Sequence, residues 1–138
     1  MAIRAFLSFV QEDLALVNLF RGQAKKEDSD LEFDDYSVKD AIDSTNAAYI
    51  RQRITEQIKL STLTMCLYGP TTYKSAWVNW ELKKTLELGK PLMGVYLYSD
   101  GSIKYYPAAL EKWPRVGWDI ANIVATMKKL AEKYRLGR

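Results

Sequence analysis

Three short runs of apolar, strand-forming residues set the tightest limit on how this chain folds: Ile3–Val10, Leu63–Tyr68 and Leu92–Tyr98. Each is apolar nearly throughout instead of alternating, as a strand buried on both faces should be. Such a strand needs cover on two sides, and helical stretches lie between the runs to supply it. Leu14, Leu16, Val17, Leu19 and Phe20 form an apolar helical stretch up to Gly22, and Gln11-Glu12-Asp13 ahead of it favours a helix start. Ile50, Ile54 and Ile58 fall four apart on one helix face, with Arg51, Arg53, Gln57 and Lys59 on the remainder. Ser75 suits the N-cap of a helix reaching Leu88, with Gly89 as its stop and Pro91 just past it. Ile120, Ile123, Val124, Met127, Leu130 and Tyr134 predict a last helix.

Leu31–Asp34 alternates like a further short strand. Asp35 to Ala48 is polar without a clear period and reads as a long loop, while Ile103 to Gly117, with Pro107 and Pro114, reads as irregular. The order is therefore β-α-β-α-β-α-β-loop-α. Strands alternating with helices predict an α/β fold. Right-handed crossovers favour a flavodoxin-like, three-layer α/β/α arrangement with a mostly parallel central sheet. At 138 residues the chain is expected to form one domain, 1–138.

Composition removes several chemistries. There is no histidine, so no Ser-His-Asp or Cys-His arrangement and no histidine-ligated metal site can form. The single cysteine, Cys66, allows no intrachain disulfide and no thiolate zinc cage; it sits between Met65 and Leu67 and reads as a small core residue. No metal is expected. A net charge of +3 is too weak to argue for nucleic acid or an acidic membrane surface. No apolar run reaches the length of a membrane span, and Gln11-Glu12-Asp13 comes too soon for a signal peptide, so a cytoplasmic protein is expected.

In folds of this class ligands sit beyond the carboxyl ends of the strands, at the switch point. Those ends are Ser8-Phe9, Asp34-Asp35-Tyr36 and Gly69-Pro70. Free amides after Ser8 could hold a phosphate, although no glycine eases its approach. Asp34-Asp35-Tyr36 could present carboxylates to a ribose, or could be a solvated acidic loop. Gly69-Pro70-Thr71-Thr72-Tyr73-Lys74 has one glycine and lacks the lysine spacing of a phosphate loop. Along the helix from Ser75, Trp77 and Glu81 are four apart and share a face, flanked by Trp80. A carboxylate beside an indole could bind a sugar and a flat ring together. The plainer alternative has Trp77 anchoring the helix in the core and Glu81 pairing with Lys84 at the surface.

Taken together these segments resemble the TIR-domain superfamily, and most of all the TIR-like proteins of bacterial Thoeris antiphage defence. The resemblance runs from about Ile3 to Tyr98. Phe6-Leu7-Ser8-Phe9 with Glu12-Asp13 is similar to the TIR opening strand and loop. Ile50 to Gly69 is similar to the second helix and central strand. Ser75-x-Trp77-x-x-x-Glu81-Leu82 matches the Trp-x-x-x-Glu helix and is the most specific of the three.

The resemblance implies cleavage of NAD at the nicotinamide–ribose bond, and in the Thoeris branch a cyclic ADP-ribose-type signal for a separate effector. Glu81 then takes the place of the catalytic glutamate. Ser8 and Phe9 border the substrate, and Tyr36 to Thr45 occupies the loop that gates the site. Asp34, Tyr36, Trp77 and Trp80 are further candidates for substrate contact. NAD enters as substrate, with no other cofactor. The partners implied are further TIR surfaces for self-association and an effector reached through a diffusible nucleotide, with no nucleic acid and no membrane. A histidine-free site suffices for this reaction, because nicotinamide leaves neutral and needs no general acid. One carboxylate can then steady the oxocarbenium-like ribose. The competing expectation is a non-catalytic TIR-like interaction module. A response-regulator or flavin-binding domain would share the sheet order, but no strand-end lysine–aspartate set or phosphate-cradling loop is present.

Overall fold

The computed structural model describes residues 3–35 and 47–136. Five parallel strands form one sheet in the order β2-β1-β3-β4-β5, where β1 is Arg4–Ser8, β2 Glu32–Asp34, β3 Leu63–Tyr68, β4 Leu92–Tyr96 and β5 Arg115–Val116. That is the flavodoxin-like order, with every pairing parallel. The helices are α1 (Leu14–Glu27), α2 (Ala47–Leu60), α3 (Ala76–Glu87) and α4 (Ile120–Leu136).

The alternation of side chains along each strand separates two cores. Ala5, Leu7, Leu63, Met65, Leu67, Met93 and Val95 meet Val17, Phe20 and Ala24 of α1 and Ile123, Val124, Met127 and Leu130 of α4. On the other face, Phe6 meets Ile50, Ile54 and Ile58 of α2, while Cys66, Tyr68 and Leu92 meet Val78 and Leu82 of α3. The three apolar runs are thus buried on both faces, as their composition demands. Cys66 is a buried thiol within this second core.

β1 and β4 each end two residues before their apolar runs do, and three other elements differ more from the sequence expectation. Helix α1 runs through Gly22 to Glu27. Gly22 carries no positive φ, and Val17, Phe20 and Ala24 keep one face of the helix on the core past it. Helix α2 begins at Ala47, so the last two residues of the expected loop are helical; residues 36–46 lie outside the described set. The stretch from Ile103 to Gly117 contains a fifth strand that no periodicity announces. β5 is two residues long and is held by pairing, with Gly94 opposite Arg115 and Val95 opposite Val116.

The end of α3 follows the sequence closely. The Ser75 hydroxyl accepts from the Val78 amide at 3.2 Å and caps the start. Gly89, at φ 73°, takes the left-handed conformation that closes the helix, and the Lys90 amide returns to the Thr85 carbonyl at 3.1 Å. No helix among the described residues is long and apolar enough to cross a membrane.

Candidate active site

The strand order reverses between β1 and β3, because the chain leaves β1 for β2 on one side and returns to β3 on the other. A crevice follows from that topology at the carboxyl ends of these two strands. Ser8 is the last residue of β1. It shares strand parity with Phe6, so its side chain faces α2 and α3. Its register partner is Cys66, whose own partner is Gly94, which places one row of small side chains beneath α3.

Glu81 reaches this row from above. The Ser8 hydroxyl donates to Glu81 Oε1 at 2.6 Å, and neither residue has exposed surface. A bond of this length between two buried groups is short and fixes the orientation of the acid. The backbone beneath Glu81 is held as well: Thr85 Oγ1 donates to the Glu81 carbonyl at 2.8 Å and lies 2.8 Å from Thr64 Oγ1 on β3. Glu81 does not make the surface pair with Lys84 that its spacing allows. Lys84 Nζ instead meets Glu87 Oε1 at 3.0 Å.

Trp77 and Trp80 share the helix with Glu81 but turn toward α2. They pack against the Ile50, Ile54 and Ile58 face, edge to face with each other at 5.7 Å. The Arg51 guanidinium lies 5.2 Å from the Trp77 ring centre and 5.9 Å from that of Trp80. The two indoles therefore anchor α3, as the plainer alternative for Trp77 has it, and Arg51 belongs to that stack. Phe9 has no exposed surface and sits in the core beneath α1 and α4. Asp34, at the end of β2, is ion-paired with Arg4 on β1, and Asp35 with Arg21 on α1. Tyr36 lies outside the described residues.

One residue of this edge is marked in the sequence as a helix starter and as part of the opening that is similar to TIR domains, with no role of its own. Asp13 is 5% exposed and crowds Gly69 at the end of β3, where an added Cβ would stand 2.9 Å from Asp13 Oδ2. Tyr98 donates a long bond to its Oδ1 at 3.4 Å, and Oδ2 has no hydrogen-bond partner among the described residues. Burial, followed by the charge of Glu12, pushes the Asp13 carboxyl above its ordinary value. The available signal is its position after β1, in the loop that the topology delivers to the crevice.

Size alone would point elsewhere. A cavity of about 650 Å³ opens at the amino edge of the sheet, lined by Ile3, Thr62 and Lys90 from the strand starts. It mixes acids and bases (Asp28, Asp30 and Glu132 with Lys128 and Arg135), and Lys128 already pairs with Asp28 at 3.1 Å. A smaller cavity of about 350 Å³ lies past the carboxyl ends of β3 and β4. No group of three or more metal-binding side chains occurs among the described residues.

Two solved structures similar to this chain share its fold. The TIR domain of the Toll-related receptor TRR-2 from Hydra magnipapillata superposes with a TM-score of 0.63 at 16% identity, covering 95% of this chain and 97% of that one. A 2-deoxyribosyltransferase from Bacillus psychrosaccharolyticus superposes with a TM-score of 0.60 at 16% identity, covering 90% of this chain and 95% of that one. No curated protein sequence matches the chain. A family model does, over residues 6–102, and that span includes Ser8, Asp13, Trp77 and Glu81. The chain belongs to the family described as the TIR-like domain of the Thoeris protein ThsB.

Proposed function

We propose that the chain cleaves NAD at the bond between nicotinamide and ribose, with Glu81 as the catalytic carboxylate. The observation that carries this reading is the buried 2.6 Å bond from Ser8 to Glu81 at the end of β1, on the helix bearing the Trp-x-x-x-Glu pattern. The nicotinamide ring is cationic in the dinucleotide and takes the bonding electron pair as it leaves neutral. Positive charge then develops on the ribose, and one fixed carboxylate beside it stabilises that charge. Ser8 holds Oε1 in place, so little reorganisation is needed as the bond breaks. Attack on the sugar by an adenine nitrogen of the same molecule gives a cyclic product, and attack by water gives linear ADP-ribose. A cyclic product would serve as a diffusible signal to a separate effector in antiphage defence. Contact with further TIR surfaces belongs to the same proposal.

Incubation with NAD followed by mass spectrometry tests the reaction and separates the two products. Nicotinamide release is expected, with Glu81→Gln lowering it by at least about a hundredfold, the scale of removing one transition-state partner. Undiminished release by that variant would remove Glu81 from the chemistry.

A second reading, a TIR-like interaction module without catalysis, is favoured by one observation: Glu81 has no exposed surface. A ligand specific to the native state must raise the melting temperature. A shift of several degrees with millimolar NAD is expected for the enzyme, and none for the module.

A further inference from the structure

Five of the chain's nine tyrosines (Tyr68, Tyr96, Tyr98, Tyr105 and Tyr106) line the cavity of about 350 Å³ beyond β3 and β4. Such a concentration is more than core packing needs, since Tyr96 and Tyr105 remain 38% and 62% exposed. Lys104 is the one charged side chain among the described residues of its lining. Tyrosine offers a flat face for stacking and a hydroxyl for a polar edge. A wall of them beside a single cation suits a heteroaromatic ring that carries a phosphate.

The pocket is built into the sheet. Tyr68 and Tyr96 are register partners, their rings edge to face at 6.3 Å. Two glycines make room for them: a Cβ at Gly94 would stand 2.9 Å from the Tyr68 ring, and one at Gly117 would stand 3.0 Å from the Tyr96 ring. Tyr106 is held from behind by the Arg115 guanidinium, 4.1 Å from its ring centre, which in turn donates to the carbonyls of Leu110 and Glu111. Tyr105 leans on Tyr73 at 5.0 Å, so the outer wall is tied to the loop after β3. Burial pushes the Tyr68 hydroxyl up to about 12.

The position relative to Glu81 matters most. Ser8, Cys66 and Gly94 form one register row across β1, β3 and β4 on the α3 side. Tyr68 and Tyr96 stand two residues further along the same strands on that side. Tyr68 and Tyr96 therefore share one face and one edge with the Ser8–Glu81 pair, about 10 Å apart for two strand spacings. That is a separation a dinucleotide spans between its two rings. Resting on the reaction proposed above, we infer that this tyrosine pocket takes the adenine ring of the dinucleotide while its nicotinamide ribose lies at Glu81, an extended pose that leads to attack by water, the cyclic product requiring the adenine to leave the pocket first.

Titration calorimetry of the chain with AMP tests this without any turnover. Tyr105 is the variant of choice, because its exposure separates ring loss from unfolding. AMP is expected to bind, Tyr105→Ala to weaken it about tenfold, the scale of losing one base–aromatic stack, and Tyr105→Phe to restore it. Tyr49→Ala, which removes an exposed tyrosine of α2 outside the pocket, is expected to leave AMP binding unchanged. Failure of AMP to bind, or equal AMP affinity in wild type and Tyr105→Ala, overturns the inference. Ribose 5-phosphate binding as tightly as AMP also overturns it, since Lys104 would then be reading phosphate alone. NAD turnover is measured on the same samples. Turnover without AMP binding sinks the pocket and leaves the reaction standing. AMP binding at Tyr105 without turnover sinks the reaction and leaves a nucleotide site.

Discussion

Asp13 keeps a carboxylate where water hardly reaches, with Oδ2 against Gly69 and a single long bond from Tyr98 at its other oxygen. Such a group costs stability when charged, and its raised pKa is the sign of that cost. The direction with pH follows from linkage. Below about pH 3.9 the carboxyl is neutral in both folded and unfolded chains. Above that value the unfolded chain loses the proton first while the native state retains it, so stability falls as pH rises through the folded value. Beyond it the cost is constant. Asp13→Asn keeps the shape and removes the charge, so it is expected to raise the urea midpoint at pH 7 and to lose that advantage at pH 3. An advantage of equal size at both values would mean that packing, and not charge, separates the two side chains. Ser8 makes the contrast: its partner is also a buried carboxylate, but that one receives a 2.6 Å bond.

Among the elements, those with strong local signals were legible in the sequence. β3 runs over the residues that the apolar run marks, and α3 begins after the Ser75 cap and closes at Gly89. β5 was not legible because two residues carry no period, and its flanking Pro114 and Gly117 read as breakers. Its existence depends on Gly94 and Val95 offering a free edge, which is a tertiary fact. The pairing of Ser8 with Glu81 spans 73 positions and has no local signature; the helix spacing left Glu81 open between a ligand and a surface pair, and the family's pattern made it the catalytic candidate. The indoles show the reverse problem, since their spacing fits a ligand face and an α2-packing face equally well, and the structure puts them on α2. Helix α1 exposes one misreading that can be tested. Gly22 is exposed inside it, and an added Cβ meets nothing within 4 Å. Gly22→Ala is expected to stabilise the protein by about 0.5–1 kcal/mol, by removing glycine's excess unfolded freedom. Thermal or urea denaturation measures it. A loss of stability would mean that the helix breaks at Gly22, as the sequence alone suggested.

Across the whole molecule, the site joins the most rigid part of the sheet to a helix laid over it. β3 is the central strand, bonded to β1 and β4 along its length, and Leu63 to Leu67 have no exposed surface. β2 and β5 are edges of three and two residues. Local opening is easiest where few buried contacts and few ladder bonds hold the chain, and hardest in central strands, where it approaches global unfolding. Amide hydrogen exchange is therefore expected to end with Met65, Cys66 and Leu67, with β2 and β5 exchanging well before them. Ser8 rides on β1, which is paired on both sides, so its hydroxyl is offered from a fixed position. Glu81 belongs to α3, held on the sheet by Val78, Leu82 and the hydrogen bonds from Thr85 to Thr64 and from Ser8 to Glu81, and on α2 by the tryptophan pair. Access to a carboxylate with no exposed surface requires movement of something packed over it, and of the two elements that carry the pair β1 is the less free to give. Exchange should consequently be faster in α3 than in β1 in the free protein, and addition of NAD should slow α3 more than β3. Equal protection of α3 and β3, unchanged by NAD, would show that the crevice does not open to the dinucleotide.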